Sequence, residues 1–177
     1  MIIKLKDIDE NLQNEFLNKI FIYPTDTIYG IGCNAEDIIL VEKIREIKKR
    51  DQKPFSIIAP NFSWILENFE VEKNVLDKYL PGPYTLLLKK KDKNFLNCVS
   101  DNDSVGVRIP KHSFTEILQK TQKPIVTTSV NLAGEKPANK IEEVDKEIFS
   151  KVDFVVDAGT LSGKPSTLIK DGEVIRR

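Results

Sequence analysis

Short apolar segments alternate with segments of helical periodicity along this chain, and this alternation constrains its fold more than any other feature. The predicted strands are 20–23, 55–59, 84–89, 104–109, 125–128, 154–157, 167–170 and 174–176. The predicted helices are 9–19, a helix capped by Asn34, 62–69, 75–80, 113–120 and 141–149. Asp171-Gly172 is typical of a two-residue hairpin turn between the last two strands. Strands interleaved with helices, ending in a hairpin, predict an α/β domain built around a mixed sheet.

The length and composition indicate one globular domain over residues 1–177, without a membrane segment. Lys+Arg and Asp+Glu both number 27, so an anion site must come from local clustering rather than net charge. Cys33, Cys98 and the single histidine, His112, lack metal-ligand spacing, so we expect reduced thiols and no metal site. His112 is expected to cap a helix or to pack. The first residues are too short and charged for a signal peptide, and a cytoplasmic location is expected.

The stretch 23–32 places polar residues directly after an apolar strand. Pro24 removes a backbone donor and ends the strand in a turn. Thr25 and Thr27 are two residues apart, so their hydroxyls point the same way in an extended segment. The two glycines that follow allow the backbone to approach another group closely. The pattern fits a ligand-binding loop and a strand–turn–strand unit about equally well.

The run 48–53 brings four cations to the end of a predicted helix. Favourable interaction with the helix dipole would explain such a run without any function. The functional interpretation is an anion site in which Lys48 and Arg50 are exposed to a cleft and converge on a triphosphate. The chain has no Gly-x-x-x-x-Gly-Lys-Ser/Thr motif, so this is not a P-loop.

Two predicted strands carry polar residues at positions that suit ligand binding. Arg108 alternates onto the face of Ser104, so it either pairs with a carboxylate or lies on a cleft. A second strand ends in a row of hydroxyl and amide groups, namely Thr127, Ser129 and Asn131. Such groups at a strand end suit nucleotide recognition in an open sheet, although a plain polar strand end has the same appearance.

Several motifs together resemble the YrdC-type threonylcarbamoyl-AMP synthase family, in its short, single-domain form. They are Tyr-Pro-Thr-Asp-Thr-Ile-Tyr-Gly-Ile-Gly at 23–32, Lys-x-Arg at 48–50 with Lys53-Pro54, Leu-Pro-Gly-Pro-Tyr-Thr at 80–85, Ser-Val-Gly-Val-Arg-Ile-Pro-Lys-His at 104–112, Ser-x-Asn at 129–131, Asp-Ala-Gly at 157–159, Pro-Ser-Thr at 165–167, and the terminal Ile175-Arg176. The resemblance implies a single YrdC-like domain with a twisted, open mixed sheet, flanking helices and a concave basic cleft.

The resemblance also implies a reaction, in which L-threonine, bicarbonate and ATP give threonylcarbamoyl-AMP and pyrophosphate. Carried over by position, Thr27, Arg108 and Ser166 would bind threonine, and Lys48 and Arg50 would act in catalysis. The nucleotide-binding residues so implied are Lys48, Arg50, Ser104, Ser129, Asn131 and Arg176. Mg2+ would accompany ATP, and a tRNA threonylcarbamoyl transferase would use the product. The chain departs from the family pattern at Asp51, Ile58 and Pro137.

Two alternatives remain open from the sequence. One is an RNA- or nucleotide-binding paralogue with little or no synthase activity, contacting tRNA or double-stranded RNA through 48–53 and 89–93. Against it, aromatic residues are not interleaved with these runs as stacking platforms. The other is a carbamoyl-handling domain like those within larger hydrogenase-maturation proteins.

Overall fold

The computed structural model describes residues 1–50, 53–132 and 134–175, and its central element is an 11-stranded sheet. The strands are β1 (Ile2–Lys4), β2 (Phe21–Tyr23), β3 (Gly30–Gly32), β4 (Ser56–Ile58), β5 (Phe69–Glu70), β6 (Tyr84–Lys90), β7 (Ser104–Arg108), β8 (Ile125–Ser129), β9 (Phe154–Asp157), β10 (Thr167–Lys170) and β11 (Glu173–Ile175). The helices are α1 (Glu10–Glu15), α2 (Ile38–Ile47), α3 (Phe62–Asn68), α4 (Lys73–Tyr79), α5 (Ser113–Lys120) and α6 (Lys146–Ser150).

The strand order is β1-β9-β2-β3-β8-β4-β7-β6-β10-β11, with β5 added beside β6. Parallel pairs join β9 to β1 and β2, β4 to β7, and β6 to β10, while the remaining pairs are antiparallel. The predicted α/β class with an open mixed sheet is therefore confirmed.

The two faces of the sheet are covered differently. One face packs on the larger apolar cluster, to which α2 contributes Val41 and Ile44 and which also includes Ile65 and Leu76. On the other face, α5 and the segment after α1 supply aromatic residues to a second cluster. Its rings are Phe16, Phe21, Tyr23, Phe114 and Phe154, with neighbouring centroids from 4.8 to 6.2 Å apart.

The aromatic cluster covers only part of its face. Ile125 of β8 belongs to this cluster, and side chains two residues apart on a strand share a face. Thr127 and Ser129 therefore continue the same face beyond the cluster, where they line a cavity. The fold thus uses one half of a sheet face for packing and leaves the other half for a site.

Most predicted elements are confirmed, and the differences have local causes. The predicted helix cap at Asn34 is wrong, because Asp37 accepts hydrogen bonds from the amides of Ile39 and Leu40 and so begins α2. The predicted helix 141–149 is divided into a single turn at Ile141–Glu143 and α6, which begins at its own cap, Asp145. The predicted hairpin turn is confirmed, with φ of 51° at Asp171 and 81° at Gly172.

Strand β1 was not predicted, since three residues with one buried side chain give no usable pattern. His112 caps α5, as expected, by accepting a hydrogen bond from the amide of Phe114. Across the described ranges, we find no helix with the length and apolar character needed to cross a membrane.

Candidate functional site

A cavity of about 430 Å³ lies on the uncovered half-face of the sheet. Hydroxyl side chains dominate its wall, and the charged side chains among its described lining residues are two arginines. The polar side chains of the wall are Thr25, Thr27, Tyr29, Arg50, Ser56, Thr85, Asn102, Ser104, Arg108, Thr127, Thr128, Ser129 and Ser166. The predicted cleft is therefore present, with a small number of cations rather than a broad basic surface.

Gly106 forms the floor of this cavity, in the middle of β7. It pairs with Ser56 of β4, and both residues line the cavity. A Cβ at this position would lie 2.4 Å from Ser56 Oγ and 3.0 Å from Thr85 Cγ2. A side chain here would displace its neighbours and fill the space above the sheet, so the open floor depends on glycine.

Arg108 marks one end of the cavity and is almost fully buried. Its Nη2 atom donates to Asp26 Oδ1 at 2.7 Å, and both nitrogen termini lie 3.4 Å from Thr27 Oγ1. Asp26 Oδ2 also accepts a hydrogen bond from the amide of Lys111 at 2.9 Å. The two alternatives for Arg108 are therefore both realised, because it pairs with a carboxylate and also lies on the cavity.

Thr25 and Thr27 point into this end together, but through a bend at 26–28 rather than the expected extended segment, since the amide of Thr27 donates to Thr25 Oγ1 at 3.1 Å. Their Oγ1 atoms are 2.8 Å apart, and Thr25 Oγ1 also donates to the carbonyl of Ile28 at 2.7 Å. Ser166 joins the same end through Thr85, with 2.8 Å between the two hydroxyl oxygens. Thr85 lies beside Arg108, since Leu86 of β6 pairs with Val107 of β7. Thr27, Arg108 and Ser166 are thus brought together.

Arg50 marks a second region of the wall. Its Nη1 atom donates to Thr128 Oγ1 at 3.3 Å and its Nη2 atom to the carbonyl of Pro54 at 2.9 Å. The guanidinium lies 5.1 Å from the centre of the Phe55 ring, which adds a cation–π contact. These contacts fix a planar set of donors at the edge of the cavity.

Strand register separates the two arginines along the sheet. Ser56 of β4 pairs with Gly106 of the parallel strand β7, so Pro54, two residues earlier, lies level with Ser104. Because Arg50 contacts the carbonyl of Pro54, Arg50 also lies near the level of Ser104. Arg108 is four residues further along β7, roughly 13 Å at the usual rise of a strand. Ser104 and Ser129 line the wall on the Arg50 side. The cavity therefore has two cationic ends with hydroxyl groups between them.

The expectation that Lys48 is exposed to the cleft is wrong. Its side chain is 2% exposed and is not part of the described cavity wall. The Nζ atom donates to the carbonyl oxygens of Ser129 and Asn131, the latter at 2.7 Å. Burial and the nearby positive charge of Arg50 lower the pKa of Lys48 to about 7. The lysine turns inward because two carbonyls at the end of β8 supply acceptors there.

Asn131 also lies outside the described cavity wall. Its Nδ2 atom donates to the carbonyls of Leu132 and Glu135, which closes the turn after β8. Its Oδ1 atom is buried without a hydrogen-bond partner among the described residues. The predicted residue Arg176 lies outside the described residues, as does Asp51.

Several residues of the site were missed as site residues by sequence reasoning, among them Asp26, Thr85 and Asn102. Asp26 and Thr85 lie within motifs that were recognised, so their position inside 23–32 and 80–85 was an available signal. Asn102 lines the cavity from the connection before β7, where no pattern marks it. Ile58, a departure from the family pattern, packs in the aromatic cluster instead of lining the cavity.

The cysteines and the possible metal ligands form no second reactive site in the described parts of the chain. Cys33 and Cys98 are free thiols, and burial raises the pKa of both. No group of three or more His, Cys, Asp or Glu side chains suited to a metal ion occurs among the described residues.

Fold and site together define an α/β domain whose open sheet face carries a hydroxyl-lined cavity with an arginine at each end. Residues 16–177 match the family model Sua5_yciO_yrdC, which is described as telomere recombination. A Methanocaldococcus jannaschii protein named "Putative threonylcarbamoyl-AMP synthase" is 40% identical over 172 residues, covering 93% of this chain and 81% of that protein. The chain belongs to the Sua5/YciO/YrdC family, that of the threonylcarbamoyl-AMP synthases, which confirms the predicted resemblance.

Solved structures agree with this assignment. The structure of P. abyssi Sua5 complexed with L-threonine matches with a TM-score of 0.85 at 28% identity, over 99% of this chain and 57% of that one. The present chain thus spans little more than half of that protein's length. E. coli YciO matches with a TM-score of 0.82 at 24% identity, over 100% of this chain and 94% of that one, and shows the shared fold.

Proposed function

We propose that this protein is an L-threonylcarbamoyladenylate synthase, a nucleotidyltransferase that converts L-threonine, bicarbonate and ATP to threonylcarbamoyl-AMP and pyrophosphate. The observation that carries the proposal is the separation of Arg108 and Arg50 along a hydroxyl-lined cavity. Two anionic substrates can each find a guanidinium there while their reacting groups meet between the two. The family membership and the threonine complex of P. abyssi Sua5 give further support.

The amino-acid end is the one that Arg108 marks. A guanidinium held by Asp26 presents a planar set of donors suited to a carboxylate. Thr27 and Ser166 supply hydroxyls at the same end, which suits the polar groups of threonine. Residues Arg50, Ser104 and Ser129 would then face ATP.

The reaction needs positioning and charge neutralisation more than a covalent nucleophile. The threonine nitrogen bonds to the carbon of bicarbonate with loss of water, and a carbamate oxygen then attacks the α-phosphorus of ATP. A new P–O bond forms as the bond to pyrophosphate breaks. Both partners in the second step are anions, so fixed cations and close alignment lower its barrier. Mg2+ would arrive on the ATP phosphates and neutralise charge there.

The RNA-binding alternative is less well supported. In the run 48–53, Lys48 is buried and Lys49 pairs with Glu147 at 2.8 Å. In the run 89–93, Lys89 pairs with Glu70 at 3.0 Å and Lys93 lies 3.9 Å from Asp103. Phosphate contacts by Lys49, Lys89 and Lys93 would have to displace the carboxylates that pair with them.

Pyrophosphate release by the purified protein tests the proposal, with threonine, bicarbonate and ATP omitted in turn. Release that requires all three substrates is the expected result. ATP binding without release, together with RNA binding that weakens steeply with salt, would support the alternative instead. A synthase in the cytoplasm would supply its adenylate to a transferase that modifies tRNA.

A further inference from the structure

One connection of the fold reaches the cavity from the far side of the sheet. Residues 158–166, here called the strap, join β9 to β10, which are seven strand-to-strand steps apart in the sheet. Its last residues, Pro165 and Ser166, line the cavity.

Side chains outside the strap hold its course, among them Tyr29 and Asn139. At the start, Tyr29 Oη donates to the carbonyl of Gly159 at 2.8 Å and accepts from the amide of Ala158 at 2.9 Å. In the middle, Asn139 Nδ2 donates to the carbonyls of Leu161 at 2.8 Å and Gly163 at 3.1 Å. The amide of Leu161 returns a hydrogen bond to the carbonyl of Asn139 at 2.7 Å.

The strap also touches the amino-acid end of the cavity directly. At Gly163, a Cβ would lie 2.2 Å from the carbonyl oxygen of Thr27 and 2.5 Å from its Cα atom. The two backbones are therefore packed against each other with no room for a side chain. Three residues later Ser166 reaches Thr85, so the strap contacts the threonine-binding end at two points.

We propose that Asn139 is a positioning residue that holds the strap against Thr27 and so sets the geometry of the amino-acid end. Asn139 is not among the residues of the described cavity wall. It acts on the site indirectly, by binding the carbonyls of Leu161 and Gly163 next to the contact between Gly163 and Thr27. The proposal rests on the proposed function, because it assigns the amino acid to the end that Thr27 and Ser166 line.

Asn139→Asp tests this role with a side chain of the same shape. The substitution replaces two donor hydrogens by a carboxylate that faces two carbonyl oxygens. Asn139→Leu removes the donors without adding charge and should behave alike. Asn11→Asp, at an exposed position of α1, is the matched control. We expect the KM for threonine and its dissociation constant to rise at least about tenfold, while the KM for ATP changes less than about twofold.

A second substitution reaches the same contact independently. Gly163→Ala would force the strap away from Thr27 by steric overlap, while leaving Asn139 in place. We expect the same selective rise in the KM for threonine. In the double variant Asn139→Leu/Gly163→Ala, the rise in the KM for threonine should be smaller than the product of the rises in the two single variants, because both substitutions act through one segment. Equal losses for threonine and ATP, or fully multiplicative losses, would overturn the positioning role.

Hydrogen exchange separates this proposal from the proposed function. Without any substrate, the amide of Leu161 should exchange at least about tenfold faster in Asn139→Asp than in wild type or Asn11→Asp. Unchanged exchange would show that Asn139 does not anchor the strap, and faster exchange with unaltered threonine affinity would refute its coupling to the site. If the wild-type protein needed no threonine for pyrophosphate release, the proposed function would be contradicted. The exchange measurement would still show whether Asn139 anchors the strap.

Discussion

The substitution Lys48→Met tests the buried position of Lys48 directly. If Lys48 lay on the cleft, replacing it would lower activity and leave stability unchanged. The observed Lys48 instead lies inside the protein, where its ammonium serves the carbonyls of Ser129 and Asn131 at the exit of β8. Met retains most of the apolar stem and removes only the donor. The substitution therefore measures what the buried ammonium contributes to folding.

Two opposing effects set the magnitude. Leaving two acceptors without their donor costs about 1–3 kcal/mol for each carbonyl that water cannot reach. Removing a cation that burial disfavours offsets part of this loss. We expect the free energy of unfolding of Lys48→Met to be about 2 kcal/mol below that of wild type at pH 7.

The difference should grow with pH. Burial and Arg50 lower the pKa of Lys48 from 10.5 to about 7 in the folded protein, and the unfolded chain keeps the ordinary value. Above pH 7 the unfolded state therefore binds more protons at this position than the folded state does. Wild type gains stability over the variant as pH rises, by at most about 1.4 kcal/mol per pH unit, until the ordinary pKa is reached.

Urea unfolding of both proteins at pH 6.5, 7.5 and 8.5 measures these differences. Lys49→Met is the control, because the neighbouring Lys49 is exposed and paired with Glu147. We expect that control to lie within about 1 kcal/mol of wild type. A Lys48→Met protein as stable as wild type would refute the interior role of Lys48. A constant difference across the pH range would refute its lowered pKa.

Three further substitutions test other parts of the structure. Asp26→Asn should raise the KM for threonine about tenfold, because the neutral amide holds Arg108 less firmly, and steady-state kinetics showing an equal rise for ATP would contradict this. Arg50→Ala should raise the KM for ATP at least about tenfold with little change for threonine; the reverse pattern would exchange the two ends of the cavity. Phe16→Ala should lower the free energy of unfolding by about 3–5 kcal/mol, because its ring contacts three other aromatic rings. Chemical denaturation checks this last value, and a loss under about 1 kcal/mol would show that the aromatic cluster tolerates a cavity.

The sequence predicted the fold where local signals were strong. The hairpin at Asp171-Gly172 was correct because both residues adopt a left-handed backbone, which Gly favours and Asp tolerates. The cap of α2 was misplaced since Asn34 and Asp37 are both good caps, and only tertiary pairing decides between them. Asn34 bridges to Ile125 in the sheet, which leaves Asp37 to begin the helix.

The site was predictable in composition but not in the direction of its side chains. The alternation that put Arg108 on a polar face was sufficient, because a strand has only two faces. Lys48 had no such constraint, since a long side chain at the end of a helix can turn either way. The carbonyls that it contacts come from residues 129 and 131, more than 80 positions along the chain. A local sequence pattern cannot predict contacts with carbonyls that lie so far away along the chain.

The handling of charge in this protein bears on what it can bind. Its formal net charge is zero, and several exposed lysines are paired with carboxylates, so long-range attraction of polyanions is weak. The two arginines of the cavity wall are each held by acceptors from the protein: Asp26 for Arg108, and Thr128 with Pro54 for Arg50. Cations fixed in this way select small anions by geometry rather than by field strength. A cavity of about 430 Å³ with such cations suits two small substrates better than a nucleic-acid backbone, which needs many contacts along an exposed surface.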